Sequence, residues 1–343
     1  MSLPVSIVIN TYNRAATISN TLDSLAFLDY PNFEVIVVNG PSTDNTQEVL
    51  KRYGRAIKVG ECPAANLSVS RNIGIAMAEG EIVAFIDDDA VPEPEWLGRI
   101  VAGYASEEVG GVGGFVYDHT GYSFQSRYIL CDRVGNAVFG CEENPSDSFN
   151  FPFTRQYCSL MGTNATYRKK ALLEAGGFDE YFAYFLDETD VCLRIVDCGY
   201  KVIFVDDAFV HHKFAPSHLR DTRRVLKDRT QIAKSKGYFT LRNSPGVLTL
   251  YEAFEGLQSW LEMVRTGLRW EMEHGLIDAH EHHTFHHQLD TGIEEGMREA
   301  LSRPRQGLCE TTLLEHARPF VPYPVKRTQT PRLTLCFLSQ DYP

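Results

Sequence analysis

The sequence has no long apolar run: nothing in its 343 residues approaches the roughly 18 apolar positions that a membrane-spanning helix needs. Its start, MSLPVSIVIN, lacks the basic residues of a secretory leader. Positive charge is scarce, with 33 Lys and Arg against 45 Asp and Glu and a formal net charge of −12. That balance argues against a nucleic-acid binder working through basic patches on phosphates. It leaves a nucleotide substrate open, because a metal ion can carry the positive charge. No CxxC pair occurs among the eight cysteines, Cys62, Cys131, Cys141, Cys158, Cys192, Cys198, Cys309 and Cys336. Their scatter fits buried thiols in a reducing compartment, and neither a disulfide framework nor a zinc knuckle. No GxGxxG and no GKS/T follows the first strand, which removes the Rossmann and P-loop nucleotide chemistries. What remains is globular, 43% hydrophobic and 23% charged, and long enough to bury a core without staples. A soluble, cytoplasmic protein of roughly two domains is expected, with no transmembrane segment, no nucleic-acid partner, and room for peripheral membrane association.

The first 120 residues alternate strand and helix patterns. Val5 to Ile9, Phe33 to Val38, Ile57 to Gly60 and Ile82 to Ile86 read as strands. Arg14 to Leu25, Thr43 to Tyr53 and Ser68 to Ala78 read as helices. Unbroken apolar strands in this order predict an α/β fold with a mostly parallel central sheet and flanking helices. Ligands of such sheets bind beyond the carboxyl ends of the strands, so the residues after each strand carry most weight. Further on, GGVGGFVYD reads as a strand before loop-rich structure to about Phe153. GTNATYRKKALLEAGGF reads as a strand edge and a helix closed by Gly176 and Gly177, FLDETDVCLRIVDCGY as a helix, and KVIFVDDAFVHH as a strand. Residues from about 218 to 303 read as helical. Their stripe Leu250, Phe254, Leu257, Leu261, Val264 and Leu268 suits core packing better than a membrane face.

Asp87, Asp88 and Asp89 end an apolar strand. Three adjacent carboxylates repel one another, and a hard divalent cation, Mn²⁺ or Mg²⁺, is the fitting neutraliser. If the strand continues, Asp87 and Asp89 share a side. The plain alternative is a solvated turn leading into PEPEWL.

VSIVINTYNR, FEVIVVNGPSTDNT and SVSRNIGIAMAEGEIVAFIDDDA, followed by MGTNATYRKKALLEAGGFDEYF, FLDETDVCLR and FVDDAFVHH, resemble the family 2 glycosyltransferases of GT-A fold over about residues 3–217. The resemblance implies an inverting, metal-dependent transfer of a sugar from a nucleoside diphosphate, with UDP-sugar favoured, to an acceptor hydroxyl of a glycan or lipid-linked glycan in polysaccharide assembly. The alternative is a non-catalytic sugar-nucleotide-binding or scaffold module of a larger glycosyltransferase. By the resemblance, Thr11, Tyr12 and Arg14 line the nucleotide pocket. Asn39 stands where many members have an Asp that bonds uracil, and since an amide both donates and accepts, dTDP or GDP comes closer. Asp44 lies near base and ribose or caps a helix. Arg71 and Asn72 match the family's RN pair, with Arg71 able to pair with the diphosphate. Asp87 and Asp89 match the DXD metal motif, and Asp88 faces ribose or sugar.

An inverting transfer needs a general base at the acceptor hydroxyl. The family's acidic pair falls on Asp187 and Glu188, with Glu188 at the base position and Asp187 the fallback. Asp190 caps the helix or pairs with Arg194. His211 is the match for a histidine that completes the metal shell or touches phosphate, and Ser217 and Arg220 could close over the diphosphate. Six histidines crowd HGLIDAHEHHTFHHQLD, with His283 and His287 on one helix face; a solvated or oligomer-facing helix is the better reading than a zinc site. The expected domains are the glycosyltransferase domain 1–217, a helical extension 218–317, and 318–343 as a linker and the start of a second domain. RLTLCFLSQDYP resembles the opening strand of family 4 GT-B glycosyltransferases, so the chain is expected to be the first part of a longer two-enzyme polypeptide.

Overall fold

The computed structural model describes residues 2–326; RLTLCFLSQDYP, and with it the expected opening of a second enzyme, lies outside them. The chain begins β1 (Val5–Thr11), α1 (Ile18–Leu25), β2 (Phe33–Asn39), α2 (Thr46–Lys51), β3 (Lys58–Glu61), α3 (Leu67–Met77), β4 (Ile82–Phe85), β5 (Ala90–Pro92), α4 (Trp96–Ala102) and β6 (Val109–Tyr117). It continues β7 (Phe124–Ser126), β8 (Tyr128–Asp132), β9 (Ala137–Cys141), β10 (Gln156–Cys158), β11 (Ala165–Arg168), α5 (Lys169–Glu174), α6 (Asp187–Asp197) and β12 (Lys201–His212). Four helices follow: α7 (Thr230–Asn243), α8 (Leu250–Glu273), α9 (Ala279–Ser302) and α10 (Glu310–His316).

The main sheet runs β3-β2-β1-β4-β11-β6-β12-β5, with β7 on β6. Its first half, β3 to β4, is parallel as the apolar runs predict. The second half is mixed. β11, expected at an edge, lies in the middle, antiparallel to both β4 and β6. Strand alternation splits the core in two: Ile7, Ile9, Val35 and Val37 pack under α1 and α4, while Val8, Ile36 and Val38 pack under α3 and α6. β6 and β12 approach closely at Gly114, where a Cβ would lie 2.0 Å from the Ala208 carbonyl oxygen. Only glycine permits that contact, and it fixes the course of β12 toward its histidine end.

Residues 218–229 are not helical; 218–220 border the cleft before the chain turns to α7. The stripe on α8 is half as expected: Leu257, Leu261 and Leu268 are buried with Trp260, but Leu250 and Phe254 are exposed while Ala253 beside them is buried. No helix among the described residues is long and apolar enough to cross a membrane. The expected linker is in part docked on the first strands. Tyr323 is buried, stacked on Phe33 at 5.6 Å, and donates its hydroxyl to the Leu22 carbonyl. Val321 N–H reaches Glu34, which is buried in an ion pair with Lys58 at 2.7 Å.

Candidate active site

β4 ends at Phe85, and the triplet that follows turns instead of continuing as strand, with Ala90 N–H on the Asp87 carbonyl. The turn does what strand alternation was expected to do. It brings Asp87 and Asp89 to one histidine, their ligand atoms and its ring nitrogen all within 4.8 Å of one another. The histidine is His212, and the expectation for His211 is corrected. Along β12 the buried positions Ala208, Val210 and His212 share a side, whereas His211 faces outward, stacked on Tyr117 and 2.9 Å from Glu93. Counting parity from Val210 would have found it. His212 Nε2 lies 3.2 Å from Asp89 and 3.5 Å from Asp87. Burial pulls the imidazole's pKa down, but the Asp89 hydrogen bond and the two carboxylate charges lift it above the ordinary value.

Two carboxylates and an imidazole suit Mn²⁺ or Mg²⁺, and the surroundings fit a metal. His212 Nδ1 meets Gln125 Oε1 at 2.8 Å. An amide oxygen only accepts, so Nδ1 carries the proton and Nε2 is left as the ligand nitrogen. Asp89 is oriented in turn by the Ala215 N–H at 2.7 Å. Among the described residues this is the one metal-ligand group; His283 and His287 are exposed on α9, away from other ligands.

The group lies in a cleft of about 930 Å³ beyond the carboxyl ends of β1 and β4, within the size range of ligand sites. Thr11, Tyr12, Arg14, Arg71, Asp87 to Asp89, Asp187, Glu188, Ser217 and Arg220 all border it. Asp88 turns onto Arg14 at 3.3 Å, and burial pushes its carboxyl up to about 7 while Arg14 opposes. Arg14 also donates to the Pro216 carbonyl, tying the first loop to residues 213–220.

Asn39, Asp44 and Asn72 do not border the cleft. Asn39 is spent on Ser42 and Gln47, Asp44 holds the start of α2 through Thr46 and the Ala15 N–H, and Asn72 pins Phe178 and Glu180. Short polar side chains next to turns are taken up by nearby backbone, and a motif match does not reveal that.

The acidic pair starts α6 after Phe185 and Leu186, which adopt φ of 73° and 67°. Two successive left-handed residues with large side chains cost about 1–3 kcal/mol each. Asp187 is buried against Arg71, so Arg71, expected on the diphosphate, is turned to the acidic pair instead. Glu188 lies 3.6 Å from the same guanidinium with its side chain 24% exposed. Burial and the Glu188 charge push Asp187 well above its ordinary range, with Arg71 opposing. Burial acts on Glu188 too, but its hydrogen bond with Asp187 and the charge of Arg71 hold it below. Glu188 is the more exposed member of the pair and faces the cleft. Past it the lining becomes apolar, with Ile129, Leu160, Phe185, Trp260 and Met263. Asp190 pairs with Arg194 as spacing predicts.

Residues 6–174 match the model of glycosyl transferase family 2. Among curated proteins, the chain is 28% identical over 224 residues to the glucosyl-dolichyl phosphate glucuronosyltransferase of Haloferax volcanii, covering 62% of this chain and 69% of that one. It is 28% identical over 251 residues to the chondroitin synthase of Escherichia coli, covering 64% of this chain and 36% of the synthase. The fold is that of S. aureus TarS 1–349, solved in complex with UDP-GlcNAc, at a TM-score of 0.57 and 19% identity over 85% of this chain and 81% of that one.

Proposed function

The chain belongs to glycosyl transferase family 2, and on that premise we propose that it inverts configuration as it moves a sugar from a nucleoside diphosphate to an acceptor hydroxyl, with a divalent cation held by Asp87, Asp89 and His212. Glycosyl transfer in glycan or polysaccharide synthesis is supported by the family match and by the relatives named above. The observation that carries the rest is the convergence of the metal-ligand group and Glu188 on one cleft.

When bound, Mn²⁺ or Mg²⁺ would offset the charge of the diphosphate and of its departure. Arg220, held between the ring of Phe214 and the Tyr184 hydroxyl, supplies a cation on the same side as Ser217. Glu188 takes the proton of the acceptor hydroxyl while that oxygen bonds the anomeric carbon. The bond from the anomeric carbon to the phosphate oxygen breaks with its electron pair leaving on the diphosphate. Arg71 and Asp187 fix Glu188 from behind, and the apolar end of the cleft receives the body of a glycan or lipid-linked glycan acceptor. UDP is the favoured nucleotide from the sequence resemblance, and Tyr12 and Gly40 border the cleft where its base would lie. The glycosyltransferase domain is assigned to 1–217, with 218–317 completing the cleft wall through α8.

Thermal unfolding with UDP, dTDP or GDP, with and without Mn²⁺, tests the reading, since ligand binding to the folded state raises the melting temperature. A rise that needs both UDP and Mn²⁺ is expected. Equal rises without the metal would overturn the metal assignment.

A further inference from the structure

The extension after α9 returns to the catalytic domain through Arg305. Its Nη1 donates to Asp190 Oδ1 at 2.8 Å and Asp179 Oδ2 at 3.1 Å, and its Nη2 to Asn243 Oδ1 at 2.5 Å. Asp179 and Asp190 are both completely enclosed. The flanking backbone is fastened too, with Glu180 N–H on the Gln306 carbonyl and Leu308 N–H on that of Gly176. One guanidinium thus joins the segment before α6, α6 itself and α7.

Asp190 lies in the first turn of α6, and its N–H closes that turn on the Leu186 carbonyl. The turn carries Asp187 and Glu188 and is entered through the strained pair Phe185 and Leu186. A strained entry persists only where its surroundings hold it. Arg71 holds Asp187 on the cleft side. Asp190 is gripped from the far side by Arg305, Asn243 and Arg194.

We propose that Arg305 is a positioning residue for the transfer: reaching in from the C-terminal extension, it anchors α6 through Asp190 and so keeps Glu188 presented to the acceptor. The inference rests on Glu188 as the base. It makes residues 303–308 part of the catalytic apparatus without contact to donor or acceptor. It also accounts for a half-buried charge set against two buried carboxylates in a segment distant in sequence from every motif.

The test uses the full chain with Arg305→Gln and Arg305→Lys, both able to hydrogen-bond Asp190, beside Glu188→Gln. Arg305→Gln should lower kcat by about 10-fold to 100-fold, the effect of misplacing a group by about 1 Å. Binding of UDP with Mn²⁺ should stay within about two-fold, because only the acceptor step is disturbed. Arg305→Lys should recover most of the rate. Wild-type kcat in Arg305→Gln beside an inactive Glu188→Gln would overturn the inference and leave the base intact. UDP binding lost in step with turnover would mark a merely structural residue and overturn it too. An active Glu188→Gln would remove the base assignment and this inference with it.

Discussion

Arg71 donates to Asp187 from inside the fold, and the same guanidinium stands 3.6 Å from Glu188. One buried cation therefore serves two adjacent carboxylates, of which Glu188 has the more exposed side chain. Glu188→Gln should reduce kcat by about 100-fold or more, while UDP binding in the presence of Mn²⁺ changes little. Steady-state kinetics with a calorimetric donor titration checks the split. A larger kcat loss in Asp187→Asn would move the base one residue back.

Gly162 packs against this pair. A Cβ there would lie 2.7 Å from Arg71 Nη2 and 3.4 Å from Glu188 Oε1. Gly162→Ala should cut turnover by about 10-fold, with the melting temperature lowered by less than about 5 °C. Unchanged turnover would show that the Arg71–Glu188 arrangement does not control the rate.

Lys236 on α7 is wholly enclosed, with the Val134 carbonyl and Asn136 Oδ1 each at 2.6 Å and the Trp260 ring at 5.4 Å. Burial pushes it down to about 7 against the pull of Asp132. Below that pH both folded and unfolded chains hold the proton, and the cost of burying the charge is fully present. Above it, up to the ordinary lysine range, the unfolded chain holds a proton that the folded chain has shed, so stability rises with pH. Compared with Lys236→Met, the wild-type protein should gain at most about 1.4 kcal/mol per pH unit between pH 7 and 9. Urea unfolding of both at several pH values measures this; a constant difference would contradict it.

Tyr323→Ala should destabilise the protein by about 3 kcal/mol, the loss of a buried aromatic ring and of its packing. The ring caps Phe33 on β2 and its hydroxyl ends α1 interactions at Leu22. Chemical denaturation of the full chain reads the effect. A change below about 0.5 kcal/mol, ordinary for a surface site, would mean that residues 318–326 behave as the linker their composition suggests.

Apolar runs made β1, β2 and β4 legible, and the Asp87–Asp89 triplet at the end of the last one marked the cleft. Local pattern carries that much because strand burial and strand-end ligand sites are both local properties. It failed where a side chain's partner comes from far away. Arg71 is turned by Asp187, 116 residues on, and Arg305 meets Asp190 across 115. Neither pairing leaves a spacing in the sequence. Tyr323 was hidden among Pro and Arg residues of linker composition. His211 was a different failure: resemblance chose the first of two adjacent histidines, and strand parity, readable in FVHH, chooses the second.

The metal assignment is tested most directly by titrating UDP in the presence of Mn²⁺ into His212→Ala and His211→Ala by calorimetry. Loss of a ligand should weaken metal-dependent UDP binding by about 10-fold to 100-fold or more in His212→Ala, and His211→Ala should bind within about two-fold of the wild type. The reverse order, or equal binding by both variants and the wild type, would contradict a cation held by Asp87, Asp89 and His212.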